Sequence, residues 1–226
     1  MGITELAVLK WMHIIAMVYW LGGEWGVFQT SYNVINRKLP MDERRRHMET
    51  AYRIDILART GIILLLPLGL HMGHLWGTHD YGGVYLVVMW LAMLAWLSLT
   101  LSAFFKRETD AGIKLTLIDE RIRFVLIPLL ILVSLSSMMG YGPFEAAHIW
   151  YTAKLLIYAL LLVIGLKLRF IMREWTLLFR KLEEEGDDDA IERTLDRSIR
   201  TGRGLAYVYW AGIAAVAFLG VTKLSF

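Results

Sequence analysis

Histidines and one lysine carry the chemistry open to this sequence. His13 stands in "LKWMHIIAMVYWLGGEWGVF" (9–28), an otherwise apolar run that also holds Glu24. At about 100° per residue, His13, Met17, Trp20 and Glu24 fall on one stripe of a helix, and that stripe should face protein rather than lipid. Three more histidines, His71, His74 and His79, lie in "LLLPLGLHMGHLWGTH", and His148 and Lys154 lie in "FEAAHIWYTAKLL". Neutral imidazole is a ligand for iron, copper and zinc. Two such rings from neighbouring helices, across a gap lined by Leu, Met and Trp, make an axial pair for haem b, with Lys154 as partner for its propionates. His13 and His71 are the expected axial ligands, with His74 as substitute and Trp20 beside them. The same residues allow a second chemistry. His71, His74, His79 and His148, with His13 and the thioether of Met72, could bind copper.

The elements that would position these groups are membrane helices. The 226 residues are 57% hydrophobic, with a mean hydropathy of +0.49, and the excess is gathered in long blocks rather than alternating runs. Six blocks are long enough to cross a bilayer, at about 5–28, 54–76, 83–105, 122–141, 147–171 and 204–224. The expected fold is therefore all-α, a polytopic bundle of six transmembrane helices forming a single membrane domain over 1–226. The first block lacks a basic leader and an A-x-A site, so it reads as a span and not as a cleaved signal. Most of the 24 Lys and Arg fall in 29–53, 104–123 and 171–204, while 76–82 and 141–147 hold none. The positive-inside rule makes the three basic segments cytoplasmic and puts both termini outside, periplasmic in a bacterial inner membrane.

That orientation sets depths. At 1.5 Å per residue, His13 lies ~12 Å from the outer end of its span, His71 ~8 Å and Lys154 ~10 Å. His74, His79 and His148 lie at or beyond the same end, and only His47 is cytoplasmic. A lysine at the depth of Lys154 needs a partner: a carboxylate, a propionate or a substrate. In the inner half, Glu24 and Arg59 are expected to form a structural ion pair, with Asp55 one turn before Arg59; a proton path is the functional alternative.

Elsewhere the sequence excludes more than it offers. The chain has no cysteine, which removes disulfides, thiolate metal sites and iron–sulfur clusters. No C-x-x-C-H is present for covalent haem, and no phosphate loop or nucleophile elbow occurs. The basic balance is accounted for by topology, so nucleic acid is not an expected partner. Segment 172–203 reads as a solvated cytoplasmic helical hairpin, with Leu178, Leu182, Ile191, Leu195 and Ile199 at helical spacing and a turn at Gly186.

"LKWMHIIAMVYWLGG" (9–23) resembles the first helix of two membrane families, the HemJ-type protoporphyrinogen oxidases and the CopD-type copper-resistance proteins. His13, Trp20, Gly22 and Gly23 occupy the shared positions. "WYTAKLL" (150–156) looks like a later HemJ-type helix and places Lys154 on that family's lysine. The resemblance implies an uncharacterised branch of one superfamily with a cofactor near His13. This chain has six blocks where HemJ-type proteins have four, and "GEWGVFQTSY" where they continue into Pro-Arg. Three functions follow as expectations. The first is a haem-b protein for electron transfer or membrane oxidoreduction near the outer face, with a redox partner protein or a second copy of itself. The second is copper binding or uptake, and the third a cofactor-free accessory subunit of a membrane complex.

Overall fold

A computed structural model describes residues 2–107, 109–186 and 188–224. Its helices are α1 (Glu5–Val34), α2 (Met41–Leu75), α3 (Val84–Phe105), α4 (Asp110–Met138), α5 (Ile149–Glu185) and α6 (Asp189–Thr222), with a single 3-10 turn, Ala146–His148, before α5. Among the described residues, these six helices are long and apolar enough to cross a membrane. The fold is an all-α bundle.

Helix starts are written locally. Thr4, Thr109 and Asp188 each precede a helix in extended conformation and accept from a backbone N–H of the first turn, which satisfies one of the donors a helix start leaves open. Gly186 turns the chain between α5 and α6 at φ 84°, a left-handed conformation that glycine adopts without Cβ strain.

Each helix packs on the next in sequence, and α6 returns to α1, so the six close a ring. The backbones of α1 and α2 run closest, whereas α1 and α6 are bridged by aromatic pairs such as Trp20–Tyr209 and Trp25–Trp210. Small residues set the α1–α2 seam: a Cβ on Gly23 would lie 2.9 Å from the Cβ of Ala58, and one on Gly61 would lie 2.8 Å from the backbone nitrogen of Trp20. Such close backbone approach is how helices associate where lipid removes the hydrophobic drive between them. The interior of the ring is filled by aromatic side chains, with Trp20 and Tyr209 almost fully buried. Trp11, Val18, Tyr19, Tyr85, Val87 and Leu91 point outward. That apolar outer surface fits contact with a bilayer, and α3 is the least enclosed of the helices.

Several helices outrun the hydropathy blocks: α1 runs on to Val34 and α4 begins at Asp110, before the expected 122. Helix α2 begins at Met41, well before the expected 54, and α5 and α6 continue as helix through 172–203 to the Gly186 turn. Hydropathy reports burial in lipid, and these polar extensions are helical without it. Their inner faces are packed rather than solvated. Phe179, Leu182, Leu195 and Ile199 form a second apolar cluster with Val34, Met48 and Ala51 of α1 and α2. Arg44 of α2 is locked to Glu192 of α6 by a two-pronged pair at 2.5 and 2.8 Å, both side chains buried.

Candidate functional site

The stripe on α1 faces the interior as its spacing requires. His13 and Trp20 line one cavity, and Glu24 lines a second one nearer the basic end of the bundle. A septum of aromatic groups separates the two. Trp20 donates from its indole nitrogen to the Tyr209 hydroxyl at 3.0 Å, and Tyr158 packs edge-on against Trp20. Tyr158 also donates to the Ile62 carbonyl at 2.8 Å, and Tyr151 donates to the Gly69 carbonyl at 3.2 Å. These two tyrosines carry α5 across the ring to α2 on either side of Pro67, whose missing N–H weakens the helix there.

The outer cavity is the candidate site. It has a volume of about 60 Å³, and His13, Gly69, Tyr151, Lys154, Tyr158 and Val216 are among its walls. Nδ1 of His13 is buried and has no protein hydrogen-bond partner. A Cβ at position 69 would lie 3.6 Å from the Cε1 of His13, an ordinary contact, so the ring packs directly on that turn of α2. Lys154 extends to α6, where a Cβ on Gly220 would lie 2.6 Å from Nζ. Among the described residues, no carboxylate forms an ion pair with Lys154. His13 and Lys154, expected at one depth, line one cavity, and no carboxylate among the described residues pairs with Lys154 there.

The other histidines go elsewhere. His71 is two residues from Gly69, about 200° round the helix, and it faces Trp90 of α3. Trp90 donates to its Nδ1 at 3.3 Å. The ring proton then sits on Nε2, which is 3.2 Å from the Glu5 carboxylate. Both nitrogens are engaged there, and in this structure the His71 ring does not line the cavity that His13 lines. His79 folds back beneath the α2–α3 loop. It accepts from the Tyr81 N–H at 3.2 Å and donates to the Leu70 carbonyl at 3.1 Å. Burial holds its pKa below the ordinary value, and the Leu70 contact works against that. His74 faces the same loop, with Nδ1 3.3 Å from the His79 carbonyl. His148 stands at the start of α5, 3.8 Å from Glu145. Among the described residues, no three His, Cys, Asp or Glu side chains come together as a metal site. The copper set His13, His71, His74, His79 and His148, with Met72 buried in the core, is therefore not assembled. Depth along a helix brought these residues to one level, and azimuth parts them.

In the inner half, the ion pair that forms is Asp55–Arg59, within one turn of α2. Glu24 stands across the same cavity rather than on Arg59. An i, i+4 partner on the same helix reaches the guanidinium without depending on interhelical fit. Sequence reasoning missed a larger network beside it. Asp119 of α4 is fully buried and accepts from Trp96 and Thr100, both at 2.7 Å. It also pairs with Arg123 at 3.3 Å and with Arg169 of α5. The available signal was "DERIRF" (119–124) at helical spacing, facing "LKLRF" (166–170) at matching depth.

No known protein family, curated protein or solved structure matches the chain.

Proposed function

We propose that the chain is a multi-pass membrane protein that binds haem b through His13 near the outer face, for electron transfer or membrane oxidoreduction. One observation carries this reading. Among the described residues, a buried imidazole nitrogen without a hydrogen-bond partner and a lysine without a carboxylate line one cavity. Buried polar groups in native proteins are almost always satisfied, and a charge at membrane depth costs several kcal/mol unless paired. A group offering both a metal and a carboxylate meets both needs, and haem b does so through its iron and a propionate. Bound there, it would supply one-electron chemistry. The resemblance of residues 9–23 and 150–156 to the HemJ- and CopD-type superfamily points the same way.

The donors fit this group, and the space does not fit it as it stands. A volume of about 60 Å³ accommodates water-sized groups, whereas pockets for ring-sized ligands run roughly 300–1,000 Å³. Entry of a macrocycle requires the walls to part. Copper handling has weaker support, because its ligand set is dispersed. We place the protein in a bacterial inner membrane with both termini periplasmic, on the positive-inside rule.

The test is an absorption spectrum of detergent-purified protein, oxidised and then reduced, before and after haemin is added. A b-type spectrum is expected for the wild type. It should be lost in His13→Ala with helical circular dichroism unchanged, weakened in Lys154→Gln, and kept in His71→Ala. Absence of haem binding after haemin addition, or an undiminished spectrum in His13→Ala, would overturn the reading. In the first case an accessory subunit without cofactor becomes the better account.

A further inference from the structure

The inner cavity, of about 70 Å³, is lined by four arginines, Arg59, Arg123, Arg169 and Arg203, against the carboxylates of Glu24 and Asp55. Asp119 stands behind Arg123 and Arg169. Glu120 stands 3.8 Å from Arg169 and has its closer partner in Arg173 at 2.9 Å; with that pair counted, five guanidiniums stand against four carboxylates. Two of these guanidiniums are incompletely used. Arg123 is 5% exposed, it spends Nε on Asp119, and its Nη2 is buried without a protein acceptor. Arg203 donates from Nε to Ser31 at 2.9 Å and stacks 3.7 Å from the centre of the Tyr32 ring, and its Nη2 is likewise buried without a protein acceptor. The two come from opposite sides of the cavity, α4 and α6.

We propose that this cavity is a binding site for a small oxyanion, a carboxylate or a phosphate group, held between Arg123 and Arg203. Guanidinium donors lie in a planar fork that matches the oxygens of both groups, and charge-assisted hydrogen bonds of this kind are the stronger ones. Water would satisfy the donors and leave the excess charge uncompensated in a low-dielectric interior, where charge is costly. An oxyanion answers both. The remaining walls, Ile62, Leu166, Met172 and Trp175, are apolar, so a short organic acid fits as well as an inorganic ion. The cavity lies at the end of the bundle that carries the basic segments, where long-range attraction concentrates anions. This site is independent of the haem reading, because the septum of Trp20, Tyr158 and Tyr209 stands between them.

The test is thermal unfolding of the full chain in detergent with phosphate, sulfate or acetate titrated against chloride at fixed ionic strength, alongside native mass spectrometry. A saturable rise in Tm with at least one of the three is expected, with affinity about tenfold weaker in Arg203→Gln. Arg203 touches neither Asp119 nor its partners, so that variant keeps the buried network even if Arg123→Gln fails to fold. A phospholipid retained in mass spectra of the wild type and lost in Arg203→Gln would assign the same guanidiniums to a lipid phosphate, and competition by free phosphate would separate the two sources. No Tm shift beyond chloride together with no retained phospholipid would overturn the proposal. So would a shift that Arg203→Gln leaves unchanged.

Discussion

At the scale of single residues, the Trp20–Tyr209 bond decides whether the two cavities stay apart. The phenolic hydroxyl is the acceptor for a fully buried indole N–H, and in Tyr209→Phe that N–H keeps its burial and loses its acceptor. A buried donor left open costs about 1–3 kcal/mol. Tyr209→Phe is therefore expected to lower Tm and to raise the fluorescence accessibility of the septum to a polar quencher, whereas Tyr207→Phe, on the outer surface of the same helix, should change neither. His79 gives a second test. Its pKa is lowered in the folded protein by burial, so below its ordinary value near 6.5 the unfolded loop binds the proton first. Burial of the neutral ring stabilises the loop fully above that pH and less as pH falls through it, where the protonated ring still donates to Leu70 but no longer accepts from the Tyr81 N–H. Hydrogen exchange in 76–82, corrected for the intrinsic pH trend, should show lower protection near pH 5 than near pH 7.5. The difference should vanish in His79→Gln. Had exchange protection been independent of pH, the neutral tautomer would not be what holds the loop.

Helices and their seams are where the sequence was most and least legible. The stripe from His13 to Glu24 could be placed on an inner face because a helix fixes azimuth along itself, at about 100° per residue. Nothing comparable relates the azimuth of one helix to that of another, and for that reason His13 and His71 agreed in depth and still face different partners. The seam that sets their mutual rotation is made by Gly23, Ala58 and Gly61, residues that carry no chemistry and announce themselves only by size. Asp119 and Arg169 were illegible for a different reason: they lie at the edges of hydropathy blocks, where a charge reads as solvated until a facing helix is known to bury it. The seam itself is testable. A methyl added at Gly61 meets the backbone of Trp20, which cannot move away as a side chain tip could, and overpacking of this kind costs about 1–3 kcal/mol. Gly61→Ala should lower Tm and disturb the His13 cavity, which hangs on the same turn of α1. Gly22→Ala, where an added Cβ meets nothing within 4 Å, should leave Tm unchanged. Equal effects of the two would mean that α1 and α2 are not held by close backbone approach.

For the whole molecule, the end of the bundle that faces the cytoplasm decides which solution each cavity meets. Six helices return the chain to the side it started from, so the termini share a side whichever way the bundle is inserted. The choice between the two insertions rests on charge. Arg37, Arg44, Arg45, Arg46, Arg173 and Arg180 lie at one end, and the loops at the other end hold no Lys or Arg. Loops so basic are retained in the cytoplasm. The chain has no cysteine, so single cysteines can be introduced and labelled without background. Asp80→Cys and Tyr141→Cys, both exposed at the end bearing the His13 cavity, should react with a membrane-impermeant maleimide in cells whose inner membrane is intact. Arg46→Cys and Arg180→Cys, exposed at the opposite end, should react only after that membrane is permeabilised. The reverse pattern would turn the bundle over. The His13–Lys154 cavity would then lie toward the cytoplasm and the arginine cavity toward the outside. The outcome thus decides the side from which each ligand must be supplied, independently of whether either cavity is found to bind one.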